Sequence, residues 1–355
     1  MTQDFAQSPI VIFWEITRAC ALVCRHCRAQ AQPKRHSLEL TTQEGFRLLD
    51  QMAEFGNRPI VIITGGDALM RRDVFDFISY GLSKGLIVSL SPSATALVRP
   101  ETLRWLKEAG LSRISFSLDG ARPETHDAFR GVPGSFRRTQ ECIADAVESG
   151  LSLQINTTVT RYSLPELAAL SETVQRSGAV LWDLFFLVPT GRALREDMVS
   201  PQEHEQVFNW LYDLSQRSPI AVRTTLGQPY RRVMMQRQQA DGKQAASGSA
   251  GHPMASTNDG KGVCFISHIG QVQPSGFLPI SAGNVRTGHL TDIYRNTPIF
   301  RELRDPTLLK GKCGACPFNQ VCGGCRARAY AMTGDYLQSD PSCVFQPQGV
   351  VAKGQ

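Results

Sequence analysis

Three cysteines in the stretch Cys20-Ala-Leu-Val-Cys24-Arg-His-Cys27 carry the most chemistry per residue in this chain. Thiols at this spacing fit one short loop and can bind three corners of an iron–sulfur cluster. Common clusters take four thiolates, so a three-thiol loop leaves a fourth iron open. An open metal position is how such a site admits a substrate or cosubstrate. The other readings of the loop are a zinc knuckle or thiols clustered by chance. A second group reads Cys313-x2-Cys316-x5-Cys322-x2-Cys325, with Cys343 eighteen positions later and Cys264 before it. Six thiols cannot fill two four-thiolate clusters without other ligands. Structural zinc on Cys313, Cys316, Cys322 and Cys343 is the alternative.

Nine of the ten cysteines fall in these terminal groups, leaving only Cys142 between them. That distribution suggests metal ligation in a reducing cytoplasm rather than a disulfide framework. The N-terminus has no basic region before Ile10–Ile16, which is too short and interrupted for a signal peptide. No apolar run reaches the ~20 residues of a spanning helix. The net charge of +6 is spread along the chain. It forms no basic run dense enough for nucleic acid. A hydrophobic content of 42% over 355 residues is ample for one large domain and a smaller one.

Short apolar runs at Ile10–Ile16, Ile60–Thr64, Leu86–Leu90, Arg113–Leu118, Leu151–Val159 and Val180–Val188 predict six strands. Between them, amphipathic stretches near Thr42–Phe55, Arg72–Ser83, Pro100–Ala109, Ser135–Ser149 and Pro165–Arg176 predict helices. Thr41 or Thr42, Pro100 and Pro165 mark starts, and Gly56, Gly110, Gly150 and Gly178 mark stops. This alternation argues for parallel βα units, whose ligands gather at the C-terminal ends of the strands. The cysteine loop, Gly65-Gly66-Asp67 and Ser117-Leu118-Asp119-Gly120 all fall at such ends, and Asn156 lies on the fifth strand. Between Gln236 and Gly262 the composition turns to Gln, Ala, Ser and Gly, as in a flexible linker or long loop.

The cysteine loop and its setting resemble the radical SAM superfamily, in which the open iron binds S-adenosylmethionine. The resemblance implies an α/β fold: a partial (β/α)6 TIM-like barrel over 1–235, a linker over 236–262 and a small cysteine-rich iron–sulfur domain over 263–355. It also implies cosubstrate contacts. His26 stands where the superfamily usually has an aromatic residue near adenine. Gly65-Gly66-Asp67 resembles the glycine-glycine-glutamate motif that approaches the methionine ammonium, with Asp in place of Glu. Ser117 and Arg130 are candidates for the methionine carboxylate, and Asn156 for the ribose. Arg130 paired on the surface with Asp127 or Glu124, and Asn156 as a buried strand residue, are the alternatives.

The C-terminal unit resembles the SPASM domain, which implies one auxiliary 4Fe–4S cluster and leaves a second open. Carried over, Cys313, Cys316, Cys322 and Cys343 match the outer cluster of that family, and Cys264 and Cys325 match an inner set. The family's usual cysteine five residues after a glycine is replaced here by Ser281 after Gly276, and only Gly323 and Gly324 separate Cys322 from Cys325. Trp14-Glu15-Ile16-Thr17-Arg18-Ala19-Cys20, Cys27-Arg28-Ala29, Cys322-Gly323-Gly324-Cys325-Arg326-Ala327-Arg328-Ala329 and Thr333-Gly334-Asp335-Tyr336 are most similar to the branch of haem-forming decarboxylases and haem d1 synthesis enzymes.

The resemblance implies an oxidoreductase or decarboxylase in haem biosynthesis. A ferredoxin or flavodoxin would reduce the cluster, and the 5′-deoxyadenosyl radical would take hydrogen from a tetrapyrrole. A ribosomally made peptide is the other substrate. No recognition domain precedes Ile10, which favours the small molecule. A non-enzymatic iron–sulfur electron carrier is the reading from another class, in which Gly65-Gly66-Asp67 and Arg130 have no purpose.

Overall fold

Runs rich in β-branched and aromatic residues, such as Val11–Glu15 and Ile60–Thr64, pair edge to edge into one sheet. The computed structural model describes residues 4–242 and 256–347. In chain order its main elements are β1 (Val11–Glu15), α1 (Thr42–Ala53), β2 (Ile60–Thr64), α2 (Val74–Ser83), β3 (Ile87–Leu90), α3 (Pro100–Glu108), β4 (Arg113–Ser117), α4 (Pro123–Arg130), α5 (Ser135–Glu148), β5 (Leu153–Val159), α6 (Leu167–Arg176) and β6 (Leu181–Phe186). There follow α7 (Pro201–Ser215), β7 (Ala221–Thr225), α8 (Pro229–Ala240), β8 (Val263–Ile266), β9 (Gln271–Gln273), β10 (Gly283–Asn284), α9 (Leu290–Asn296), α10 (Pro298–Arg304), α11 (Gly311–Gly314) and α12 (Arg326–Thr333). Among the described residues no helix is long and apolar enough to cross a membrane.

The sheet order is β10-β9-β8-β1-β2-β3-β4-β5-β6-β7, parallel from β8 through β7 and antiparallel at β9 and β10. Alternation decides the two faces. Ile12, Trp14, Val61, Ile63, Val88, Ile114, Phe116, Ile155, Trp182 and Leu184 are buried on the helix-covered face, where Trp14 meets Phe77 of α2 at 4.8 Å. The opposite face carries Glu15, Ser117, Asn156, Asp183 and Arg223, a polar lining for the concave side. Local signals place the helices. Thr41 and Glu44 form a capping box at α1, Ser200 and Glu203 form another at α7, and Pro100 occupies the first turn of α3.

The six expected strands and five expected helices all form, and the structure adds β7, α4, α7 and α8. Two boundaries move. Strand β8 pairs in parallel with β1, Ile12 opposite Cys264, so the first strand assigned to the second domain is part of the barrel's sheet. The expected linker over 236–262 is also corrected where it can be seen. Residues 236–240 complete α8, and 256–262 are built into the fold; 243–255 lie outside the described residues.

Buried Asn258 explains the second point. Its amide donates to Gly324 O at 2.8 Å and Cys322 O at 3.3 Å, and its carbonyl oxygen accepts from Gln228 Nε2 at 3.0 Å. Beside it, Asp259 accepts from Ala327 N at 2.8 Å. Composition cannot reveal such partners, because they lie 30 to 68 residues away. Asn258→Ala strands buried groups and is expected to cost about 1–3 kcal/mol. Denaturant unfolding of the loaded protein checks it, and an unchanged midpoint would return this segment to the linker reading.

Candidate functional site

The cysteine loop leaves β1 at the C-terminal end of the sheet and is fastened at both ends, by Cys20 N to Gln32 O at 2.9 Å and Gln32 N to Arg18 O at 2.9 Å. Each thiol receives one N–H donor. Leu22 N reaches Cys20 Sγ at 3.3 Å, Arg130 Nη1 reaches Cys24 Sγ at 3.7 Å, and Ala31 N reaches Cys27 Sγ at 3.4 Å. Burial pushes the Cys20 and Cys24 thiols above their ordinary values, while Arg130 opposes this at Cys24. Desolvated thiols with preset donors suit a group whose iron would take the place of the proton. The residues present therefore fit a cluster bound by three thiolates.

Gly65 and Gly66 are glycines because the cysteine strand crosses them. A Cβ at Gly65 would stand 2.6 Å from Thr17 O, and one at Gly66 would stand 2.5 Å from Ala19 O. Gly66 N and Asp67 N donate back to Thr17 O and Ala19 O at 2.8 and 2.7 Å. The buried Asp67 carboxylate accepts from Leu69 N at 3.2 Å, Ser93 N at 3.3 Å and Thr95 Oγ1 at 2.8 Å. It joins the ends of β2 and β3, so the shorter acid serves the loop. Gly66 O in turn accepts from Ser93 Oγ at 2.9 Å.

Arg130 makes neither of the surface pairs weighed from sequence. Asp127 is occupied with Gly134 N, Ser135 Oγ and Phe136 N at 2.6, 2.9 and 2.6 Å. Arg130 instead pairs through Nη2 with Asp119, whose other oxygen accepts from Thr158 N at 2.6 Å. Burial opposes charge on both partners, yet each holds the other ionised: Arg130 sits above its ordinary value and Asp119 below. The buried Nε of Arg130 has no hydrogen-bond partner. Two of the five guanidinium N–H groups are used, so the others are open to a carboxylate.

His26 stacks on Phe129 with ring centroids 4.3 Å apart and planes 7° apart. Burial pushes its pKa down to about 4, leaving a neutral aromatic face in the loop. Ser117 and Asn156 stand side by side in register on β4 and β5, where Asn156 Oδ1 accepts from Gln154 Nε2 at 2.7 Å.

Two braces went unread in the sequence. Glu15 bonds Arg28 at 2.9 Å and His268 Nδ1 at 2.8 Å, and the Arg28 guanidinium lies 4.6 Å from the Phe265 ring centroid. This ties the residue after Cys27 to β1 and β8. Arg192 donates to Cys24 O at 2.9 Å and Ala31 O at 3.2 Å, and Gly191 at φ +66° lets its backbone pass under Cys27 and Arg28. Glu15 and Arg28 belong to the segments that carried the branch resemblance, and that was their available signal.

In the C-terminal unit Cys313, Cys316, Cys322 and Cys343 line one recess with Arg232, Lys312 and Phe345. Asp340 N and Gly324 N donate to Cys313 and Cys322 sulfurs, both at 3.4 Å. Burial pushes Cys322 up to about 12 and raises Cys316 and Cys343. Four thiols lining one recess, with backbone donors and flanking cations, supply the ligand types of one four-thiolate cluster. Cys264 and Cys325 sit elsewhere. Cys264 shares the apolar face of Ile12 and Ile266, and the Cys325 sulfur caps α12 by accepting from Arg328 N at 3.4 Å.

Residues 14–168 match the Radical SAM superfamily. Over 342 residues the chain is 42% identical to an AdoMet-dependent heme synthase of Methanosarcina barkeri, covering 96% of this chain and 97% of that one. The chain belongs to the radical SAM superfamily. A second AdoMet-dependent heme synthase, from Nitratidesulfovibrio vulgaris, is 42% identical over 98% of this radical SAM enzyme and 95% of its own length. The fold is shared with Streptococcus suis SuiB, solved bound to its precursor peptide SuiA, at a TM-score of 0.73 and 16% identity over 96% of this chain and 76% of that one.

Proposed function

We propose that this radical SAM enzyme removes carboxyl groups from the propionate side chains of a tetrapyrrole in haem formation. The likeness to AdoMet-dependent heme synthases along nearly the whole of both chains carries this reading. SuiB, found with a peptide, shares the fold at far lower identity and does not favour a peptide here.

Cys20, Cys24 and Cys27 would hold a 4Fe–4S cluster, with the Gly65-Gly66 backbone, His26, Ser117, Arg130 and Asn156 around S-adenosylmethionine. Together these groups supply a 5′-deoxyadenosyl radical when bound. The protein's own part is to position: Glu15–Arg28 and Arg192 fix the loop, and Arg130 holds its charge beside Cys24. On the substrate, –CH2–CH2–COO⁻ becomes –CH=CH2 by loss of one hydrogen atom, CO2 and one electron. The four-thiol recess would hold a second 4Fe–4S cluster able to accept that electron. Reduced thiols point to the cytoplasm, with a ferredoxin or flavodoxin as reductant.

Anaerobic turnover with dithionite, S-adenosylmethionine and a porphyrin bearing propionates tests the proposal. One CO2 and one 5′-deoxyadenosine are expected per side chain converted, with vinyl groups found by mass spectrometry. Deoxyadenosine formed with no CO2 from any such porphyrin would overturn the substrate assignment.

A further inference from the structure

The motif that follows Cys325 contains a guanidinium that the functional reading leaves unused. Arg326 is 1% exposed, and its Nη2 donates to Cys313 Sγ at 3.6 Å. Its other donors reach carbonyls: Tyr336 O at 2.9 Å, Gln338 O at 2.7 Å and Gly324 O at 3.3 Å. Two positions on, Arg328 takes the nearby carboxylate, Asp340, at 3.2 Å. Among the described residues Arg326 has no carboxylate within ion-pair distance. Asp340, Asp259 and Asp335 act on it from farther away, and the acidic group it touches is the Cys313 thiol.

The N-terminal loop differs. Arg130 also donates to a cluster thiol, but buried Asp119 cancels its charge. Arg192 there meets backbone carbonyls. At the C-terminal recess Arg232 is matched by Glu205, while Lys312 adds a further cation beside the Cys343 carbonyl. A cluster on four thiolates carries one more negative charge than one on three, and is harder to reduce for that reason. The N–H···S bonds do not separate the two sites, since each N-terminal thiol has its own donor. Positive charge without an ion-pair partner beside the recess reverses the order, because it favours the more negative, reduced form.

We propose that Arg326 sets the reduction potential of the auxiliary cluster and holds it above that of the N-terminal cluster. The recess is then an acceptor for the substrate's electron rather than a donor. This rests on the reading of Cys313, Cys316, Cys322 and Cys343 as ligands of one cluster.

The test is an anaerobic redox titration of fully loaded protein followed by electron paramagnetic resonance. Native protein should show the auxiliary signal at the higher potential. In Arg326→Gln the reduced-to-oxidised ratio of the auxiliary cluster at a fixed poise should fall about tenfold, about 59 mV for a one-electron couple. The signal that disappears on replacing Cys20, Cys24 and Cys27 should titrate unchanged. Arg326→Lys should recover part of the shift. Lys312→Gln, at the rim and outside the buried network, should move the potential the same way by less, and reads the charge effect even if Arg326 variants fold poorly. An auxiliary potential below that of the N-terminal cluster, or one unmoved by Arg326→Gln and Lys312→Gln alike, overturns the inference and leaves the cluster assignment standing. Iron at the N-terminal thiols alone overturns both.

Discussion

Replacing Cys20, Cys24 and Cys27 together by Ala is expected to remove about four irons per chain and to abolish 5′-deoxyadenosine formation. The structure gives this its sharpness. The three sulfurs are the acceptors for Leu22 N, Arg130 Nη1 and Ala31 N, so the loop is arranged around them. The apolar core sits on the other face of the sheet, where Trp14 packs against Phe77 and none of the three thiols contributes. The barrel should therefore fold, with far-ultraviolet dichroism retained, while the loop loses its constraint. Iron held by Cys313, Cys316, Cys322 and Cys343 should remain. Iron analysis and chromatographic assay of deoxyadenosine read the result. A triple variant that still cleaves S-adenosylmethionine would remove these cysteines from the chemistry.

The parts visible in the sequence are those fixed by local pattern. Strands β1 to β6 each bury a regular apolar face under helices, and the cysteine ligands lie within one loop, so spacing alone exposes both. Strand β7 escaped because Ala221–Thr225 has little apolar content, and its Arg223 and Thr225 serve Asp183 across the sheet. The C-terminal end of the expected linker was hidden for a related reason: polar Asn258 and Asp259 find their partners on the distant C-terminal cysteine loops. Cys264 was grouped by residue type, whereas its parity on β8 turns it toward the apolar core. Asp119 stood in the segment after β4, but its pairing with Arg130 appears only when α4 folds back over the strand end.

That pairing changes what Arg130 variants should do. Arg130→Ala should weaken S-adenosylmethionine binding by about 1.5–3 kcal/mol, the range for a hydrogen bond to a charged group, or roughly tenfold to two-hundredfold in Kd. It also strands the fully buried Asp119 carboxylate beside the cluster loop. Breaking a buried ion pair from one side costs about 3–5 kcal/mol of stability, so the single variant combines two losses. Asp119→Asn in the same chain separates them. With both charges gone the folding penalty should largely vanish, while the cosubstrate still lacks its carboxylate partner. Arg130→Lys keeps the charge without the planar fork and should recover only part of the affinity. Unfolding curves and calorimetric titration on fully loaded protein distinguish the effects. Native affinity in the Arg130→Ala, Asp119→Asn double variant would leave Arg130 as the brace of Cys24 and Asp119, with no part in holding the cosubstrate.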